Sequence, residues 1–400
     1  MTQTGKCGQP LLLMVVNDAA FFRSHRWPLA LAARDAGWRV EVASAPGAAL
    51  DWIYAQGVPV HPVPFRRKGL HPRGEFGTLL ALWQLYRQLK PDLVHHITIK
   101  PILYGGIAAR LMGLPAVVHA VTGLGFIFSR QGRAARLAQG LTRMAYRLAL
   151  GYRRAATIFQ NPEDLREIWG LSGHPQSVII PGAGVDPAEF TCVKEPLGEP
   201  LVILASRMLW SKGVEEFVGA VRRCKADGVP CRFALVGDSD PGNPEGVPAE
   251  TLRRWRDEGV VEWWGRREDM PEVFRQAHVV TLPTTYREGI PKVLIEAAAA
   301  GRPLIATDMP GCREIVHHGD NGLLVPPRDS AALASAIKTL INDPALRQRM
   351  GRRGRERVLK EFALERILAE TLAVYHDLSG GIGSAFDQVI VEDGDSSRIP

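Results

Sequence analysis

Glu288-Gly289-Ile290-Pro291-Lys292-Val293-Leu294-Ile295-Glu296 sets two carboxylates eight residues apart, with four alanines and Gly301 behind them. An apolar stretch, His278 to Leu282, precedes the segment and reads as a strand. Pro291 suits the first position of a helix, where an N–H would be unpaired anyway, and Gly301 suits the position just past its end. On this reading Glu288 sits in the loop and Glu296 inside the helix. Between them, the N–H groups around Gly289, Ile290 and Lys292 point out of the positive end of a helix dipole, which makes an anion site. A phosphate held there, with a carboxylate on each side to accept hydroxyl hydrogen bonds, describes a site for a nucleotide sugar. The plainer alternative is a capped surface helix with two solvated glutamates.

A second segment bears on that choice. Ala205-Ser206-Arg207-Met208-Leu209-Trp210-Ser211-Lys212-Gly213 comes just after the apolar stretch Leu201 to Leu204. It delivers an Arg and, five residues later, a Lys, which together can hold a diphosphate, one by its planar fork and the other as a point charge. Phe233-Ala234-Leu235-Val236-Gly237-Asp238 is a further strand ending in a tight glycine turn. Together these segments resemble the donor-binding half of glycosyltransferase family 4, and the resemblance runs from about Leu11 to about Leu378.

The resemblance implies the GT-B fold: α/β, two Rossmann-like parallel-sheet domains facing across a cleft, with a C-terminal helix returning to the N-domain. It implies a retaining, nucleotide-sugar-dependent enzyme in which Arg207 and Lys212 neutralise the leaving diphosphate and Glu288 contacts the donor sugar near its 3-hydroxyl. Gly289, Ile290, Pro291 and Lys292 then line the donor, and Glu296 accepts hydrogen bonds from the ribose. Trp264-Gly265-Arg266 falls where the family's base-binding loop lies, so Arg266 joins the donor side and uridine is the expected base. Fixed cations and a helix dipole would do the electrostatic work, and neither metal nor other cofactor is expected. Gly182, Gly184 and Asp186 resemble the turn leading into the hinge.

Four hundred residues exceed one typical core. Residues 1–190 read as the acceptor-binding domain, 191–360 as the nucleotide-sugar domain and 361–378 as the return helix; residues 379–400 read as a disordered tail. The turn-rich segment Thr191 to Pro200 is the expected linker. Strands are expected at Leu11–Val16, Arg39–Ala43, Leu93–His96 and Ala116–Val121, then at Leu201–Ala205, Arg232–Val236, Val260–Trp264, His278–Leu282 and Leu304–Thr307. Alternation of strand and helix implies parallel sheets whose carboxyl ends hold the ligands. One helix is expected from the first loop to about Ala36, and another from Pro344 to about Leu378. The five cysteines form no CxxC pair and no cluster with metal spacing, which points to reduced thiols in the cytoplasm. No run approaches the roughly 20 apolar residues of a membrane span.

The net charge of +7 is uneven. Residues 1–190 carry 21 Lys/Arg against 11 Asp/Glu, and no acid occurs from Leu93 to Pro162, where nine Lys/Arg do. A basic face of this kind fits an anionic partner. The loop Asn17 to Pro28 holds Arg23, His25 and Arg26 where the family usually carries a glycine-rich turn. With the segments Pro91 to Pro101, Val121 to Phe126 and Phe159 to Asp164, it resembles a bacterial subgroup that builds polysaccharides or glycans on a polyprenyl-diphosphate carrier. Arg23, His25, Arg26, His96, Lys100 and Thr122 are the acceptor-side candidates. Side chains alternate along a strand, so of His95 and His96 only one can face the cleft, and His96 lies nearer the strand's end. His119 is either a core or a cleft residue; its place within a strand favours the core.

Leu137, Leu141, Met144 and Leu148 are spaced 4, 3 and 4 apart, in the same stretch as Arg133, Arg136, Arg143 and Arg147, with Phe126, Ile127 and Phe128 just before it. Two readings stand. Either the apolar stripe packs on the core beneath an arginine-rich surface, or the stripe dips into an anionic bilayer with the arginines on its head groups. The second makes the protein peripheral on the inner face of the membrane, moving a sugar, expected to be an N-acetylhexosamine, from a UDP donor to a polyprenyl-diphosphate-linked saccharide. The same fold acting on a soluble acceptor is one alternative. A basic nucleic-acid-binding protein is another, but it leaves the spacing of Arg207, Lys212, Glu288 and Glu296 unexplained.

Overall fold

The structure is a computed structural model that describes residues 8–65, 72–125, 128, 132–171, 173–174 and 176–380. Its first sheet contains β1 (Leu11–Val16), β2 (Arg39–Ser44), β3 (Val60–Pro62), β4 (Leu93–Ile97), β5 (Val117–Val121), β6 (Ala155–Phe159) and β7 (Ser177–Ile179). The strand order is β3-β2-β1-β4-β5-β6-β7, parallel throughout. The second sheet contains β8 (Leu201–Ala205), β9 (Arg232–Val236), β10 (Glu262–Trp263), β11 (Val279–Leu282), β12 (Leu304–Thr307) and β13 (Gly322–Val325). Its order, β10-β9-β8-β11-β12-β13, is parallel as well. The central strands are buried along their whole length, as the near-continuous apolar runs of sheets covered by helices on both faces require. Strands β3, β6, β7 and β13 add to those expected from the sequence.

Two expected helices differ in the structure. The first, Trp27–Asp35, is preceded within the expected loop Asn17 to Pro28 by another helix, Ala19–His25, and Pro28, which has no N–H to continue that earlier helix, fits the opening turn of the later one. The second stops at Arg357, passes through a π-helical turn at Val358–Phe362 and resumes at Leu364–Ser379. At the break, Ala363 is extended and lies in a bridge with Val185: Val185 N–H donates to the Phe362 carbonyl, and Leu364 N–H donates to that of Val185. Gly184 permits this crossing, since at its φ of +70° a Cβ would lie 2.9 Å from the Leu364 Cα. Beyond it, the last helix returns to the N-terminal half and buries Ile367, Leu372 and Tyr375 in the core with Leu12, Met14 and Val118. The last helix includes Ser379, and residues 381–400 of the expected tail lie outside the described residues.

His95, His96 and His119 are all buried in the first sheet, so neither residue of the His95–His96 pair faces the cleft. His95 bonds to the Tyr375 hydroxyl at 2.6 Å, and His96 bonds to the Tyr86 hydroxyl at 2.7 Å and faces His119 Nδ1 at 3.3 Å. The expectation for His96 fails because helices cover both faces of the sheet, so alternation along the strand exposes neither residue. Burial holds all three imidazoles neutral, with His119 pushed down to about 3. The unfolded chain takes up protons at these sites below about pH 6.5 and the folded chain does not, so stability is full above that pH and lost as pH falls below it. Each buried histidine should cost about 1.4 kcal/mol per pH unit there. Urea titrations at pH 7 and pH 5.5 should show the midpoint falling, and His119→Asn, if it folds, should reduce the fall.

Candidate active site

Loops from the carboxyl ends of both sheets meet. After β8, the chain makes a short 3₁₀ turn, Trp210–Lys212, closed by Gly213 at a φ of +77°. A Cβ on Gly213 would lie 2.0 Å from the Pro283 carbonyl, so only glycine lets this turn lie against the loop that follows β11. Ser211 supplies its carbonyl to Thr285 N–H at 2.9 Å and to the Thr284 hydroxyl at 3.0 Å. The two loops are thereby fixed together, and Lys212 Nζ reaches Glu288 at 2.5 Å. Both side chains are largely shielded from solvent, at 17 % and 15 % exposure. The other carboxylate oxygen of Glu288, Oε1, is buried with no hydrogen-bond partner among the described residues, an acceptor left for a ligand hydroxyl.

Helix Lys292–Ala299 follows, with Pro291 as its N-cap, so it starts one residue later than expected, and Gly301 lies just past its end at a φ of +72°. Glu296 lies one turn into the helix, 3.2 Å from Lys292 Nζ. Burial raises its carboxyl above the ordinary carboxylate range, with Lys292 opposing. The expected ring of free N–H groups is smaller than the sequence suggests. Gly289 N–H donates to the Thr122 carbonyl at 3.1 Å, and Ile290 N–H donates to Gln160 Oε1 at 2.9 Å. Both partners belong to the N-terminal half. The remaining donors at the helix start are the N–H groups of Lys292 and Val293, for which helix geometry supplies no partner.

Arg207 is 61 % exposed, with its guanidinium 3.5 Å from Asp240. Asp238-Ser239-Asp240 is an Asp-x-Asp spacing, but Asp238 accepts the Arg266 N–H at 3.1 Å while Asp240 faces Arg207. Among the described residues, no three His, Cys, Asp or Glu side chains converge closely enough to hold an ion. Arg266 is exposed and pairs with Glu268 at 3.1 Å, so it is not gathered with Lys212 and Glu288.

The acceptor-side candidates scatter. Arg23 lies over the Trp52 ring, 4.6 Å from its centroid, and Arg26 is buried, its guanidinium pushed down to about 10. Lys100 pairs with Glu75 at 2.7 Å, and Thr122 contributes its backbone carbonyl. His25 remains near the donor side: burial and the charges of Lys292, Arg26 and Lys212 push its imidazole down to about 3, so it is neutral beside cations. Lys292 Nζ donates to the Ser24 carbonyl at 2.9 Å, tying the two halves together there as well.

Several contributors went unassigned in the sequence. Gln160 caps the donor loop, and Arg287 pairs with Asp164 at 3.1 Å and with Glu167 at 3.3 Å. Arg313 pairs with Glu163 at 3.1 Å. The available signal was the cluster Glu163, Asp164 and Glu167, the first acids after a seventy-residue stretch without one.

The arginine-rich helix spans Arg133–Leu150, and its buried side is Tyr146, Ala149 and Leu150. Leu137, Leu141, Met144 and Leu148 are 69 %, 57 %, 65 % and 53 % exposed, so the stripe faces outward and the core-facing reading is overturned. Leu111, 71 % exposed, sits on the adjacent helix, whose Arg110 donates to the Leu148 carbonyl at 3.2 Å. Arg133 and Arg136 are exposed. Arg143 instead pairs with Glu167 at 2.7 Å over the Phe128 ring, and Arg147 donates to the Ile168 carbonyl at 2.7 Å. Phe128 is buried in this packing rather than outward-facing, because it lies under Arg143. Phe126 and Ile127 lie outside the described residues. Among the described residues no helix is long and apolar enough to cross a membrane.

Comparisons with known proteins bear on the family and the fold. A family described as "Glycosyl transferases group 1" matches residues 199–343, and one described as "Glycosyl transferase 4-like" matches residues 12–161. The N,N'-diacetylbacillosaminyl-diphospho-undecaprenol alpha-1,3-N-acetylgalactosaminyltransferase of Campylobacter jejuni is 26 % identical over 335 residues, 80 % of this chain and 86 % of its own. Among solved structures, sucrose-phosphate synthase of Thermosynechococcus elongatus superposes with a TM-score of 0.74 at 22 % identity, covering 93 % of this chain and all of that one. HepE of Anabaena, in complex with UDP-glucose, superposes with a TM-score of 0.71 at 22 % identity, covering 91 % of this chain and 99 % of that one.

The two glutamates should separate in binding experiments. If Glu296 holds the ribose of a UDP donor, as the sequence leads one to expect, Glu296→Ala should weaken UDP binding about tenfold, the scale of one hydrogen bond to a charged group. With Glu296 present, affinity should fall as pH drops through its raised pKa, since only the ionised form offers both oxygens as acceptors. Glu288→Ala should spare UDP affinity, and isothermal titration with both variants would expose a wrong assignment as equal losses.

Proposed function

Because the chain belongs to the family 4 glycosyltransferases, with a glycosyl transferase 4-like domain followed by a group 1 domain, we propose that it is a retaining enzyme moving an N-acetylhexosamine from a UDP donor to a polyprenyl-diphosphate-linked saccharide. The observation that carries the donor half is the convergence of Lys212, Glu288, Lys292 and Glu296 where the loop after β11 enters its helix. Glu296 takes the ribose hydroxyls and the unpartnered Oε1 of Glu288 takes a sugar hydroxyl. Lys212 and the helix start stabilise the diphosphate as it leaves, with Arg207 reaching in from the surface. Charge develops on that diphosphate while the sugar acquires oxocarbenium character, so fixed cations lower the barrier directly. The UDP-glucose bound by HepE supports the choice of base, and the substrate named for the Campylobacter enzyme supports the carrier.

UDP release from a panel of UDP-sugars, with and without a lipid extract containing polyprenyl-linked saccharides, tests the proposal. The highest rate should come with a UDP-N-acetylhexosamine and the extract. EDTA should leave that rate unchanged, since the cations are protein side chains in this proposal. Loss on chelation with recovery on Mg²⁺ or Mn²⁺ would reassign the neutralising charge to a metal.

For the acceptor half, the outward-facing stripe of the Arg133–Leu150 helix is the supporting observation. Four large apolar side chains beside Arg133 and Arg136 match a helix lying in the interface of an anionic bilayer. Each arginine near such a surface contributes about 1 kcal/mol, and salt screens the attraction beyond ~8 Å. Replacing Leu137 and Leu141 by Ser, with Arg133 and Arg136 by Gln, should move the protein off phosphatidylglycerol liposomes in a sedimentation assay and leave UDP binding intact. Sedimentation equal to that of the parent would mean that this helix is merely a solvated face and does not dock the protein.

A further inference from the structure

Three of the four residues from Arg287 to Ile290 are bonded to the N-terminal half, and the fourth, which they flank, is Glu288. The Arg287 carbonyl accepts from Gly125 N–H at 3.3 Å, Gly289 N–H donates to Thr122, and Ile290 N–H donates to Gln160. The Arg287 guanidinium reaches Asp164 with one amino group and Glu167 with the other. Asp164 is wholly buried and held by Asn161, whose Nδ2 donates to it at 3.0 Å and whose Oδ1 accepts the Asp164 N–H at 2.7 Å. The surfaces are shaped for this approach: a Cβ on Gly123 would fall 2.5 Å from the Gly289 nitrogen, and one on Gly289 1.9 Å from Gln160 Oε1.

A buried ion pair is a poor source of stability, because taking both charges out of water offsets most of their attraction. Its use is geometric. An Arg whose two amino groups are each held by a different carboxylate has little freedom, and the residue next to it inherits that restraint. We propose that Asp164 and Glu167 are positioning residues for sugar transfer: by gripping Arg287 across the cleft they fix Glu288 against Lys212, so the donor site is complete only while the two halves are closed. This rests on the reading of Lys212 and Glu288 as donor-site residues. Neither acid touches the donor in this scheme; both act through Arg287. When the halves part, Arg287 leaves its carboxylates, the Gly289 and Ile290 N–H groups are released, and Glu288 loses its restraint.

The test compares Asp164→Asn, Arg287→Lys and Gly123→Ala with the parent. Gly123→Ala pushes the same loop away by bulk and changes no charge. For each, UDP affinity is measured by calorimetry, turnover by UDP release from UDP-N-acetylgalactosamine with the lipid extract, and folding by thermal melting. Turnover should fall tenfold or more in all three, with UDP affinity within about twofold of the parent and an intact cooperative melt. If Asp164→Asn fails to fold, the other two variants decide. Turnover within twofold of the parent, or a loss of UDP affinity matching the loss of turnover, overturns the positioning role. Failure of the underlying donor reading looks different: the parent itself, and Glu296→Ala equally, would show no UDP binding.

Discussion

The contact between the Thr122–Gly125 segment and the Arg287–Ile290 segment is backbone against backbone, made by residues more than 160 positions apart. Such an approach is open only where side chains are absent, and Gly123, Gly125 and Gly289 supply that absence. Much of the site's geometry depends on it. The loop after β11 is held from one side by the Trp210–Lys212 turn and from the other by the N-terminal half, so Glu288 is fixed between two domains. Lys292 adds a third tie through the Ser24 carbonyl. The same contact occupies N–H groups that a phosphate would otherwise find, which links closure of the cleft to the way the anion is held.

The sequence displays what local chemistry decides. Long apolar strands, the loop-then-helix placement of Glu288 and Glu296 and the glycine beyond the helix are each legible within a dozen residues, whereas of the Arg207–Lys212 pair only Lys212 meets Glu288 and Arg207 turns to Asp240 at the surface. What escapes is set by distant partners. Arg23, Arg26 and Lys100 are cations in the expected loops, yet an indole ring engages the first, burial encloses the second and Glu75 pairs with the third. His96 is lost to the interior because both faces of its sheet are covered. The Pro344–Leu378 helix breaks at Ala363, since Val185, far back in the chain, pairs with it there. The short strands β3 and β7 are three residues each and carry too little pattern to see.

The Arg133–Leu150 helix shows how one periodicity serves two outcomes. Spacing of 4, 3 and 4 marks a common face, and nothing in it says whether that face looks inward or outward. Here Tyr146, Ala149 and Leu150 take the interior instead, and the larger apolar residues remain in solvent. A monomer that leaves four such side chains together has an exposed patch that calls for a partner. The helix is also tied to the C-terminal half, because Glu167 receives both Arg143 and Arg287.

The return helix Leu364–Ser379 bears on how the molecule is made. Its Ile367, Leu372 and Tyr375 complete a hydrophobic core whose other members begin at Leu12. On the ribosome, the N-terminal sheet, finished with β7 at Ile179, therefore emerges well before the segment at Leu364–Ser379 that seals it. The C-terminal domain, contiguous from β8 to β13, can close its own sheet while the earlier one still waits for its last wall. Order of synthesis and order of completion thus run opposite ways, and a chain truncated near its end would lose packing at its beginning.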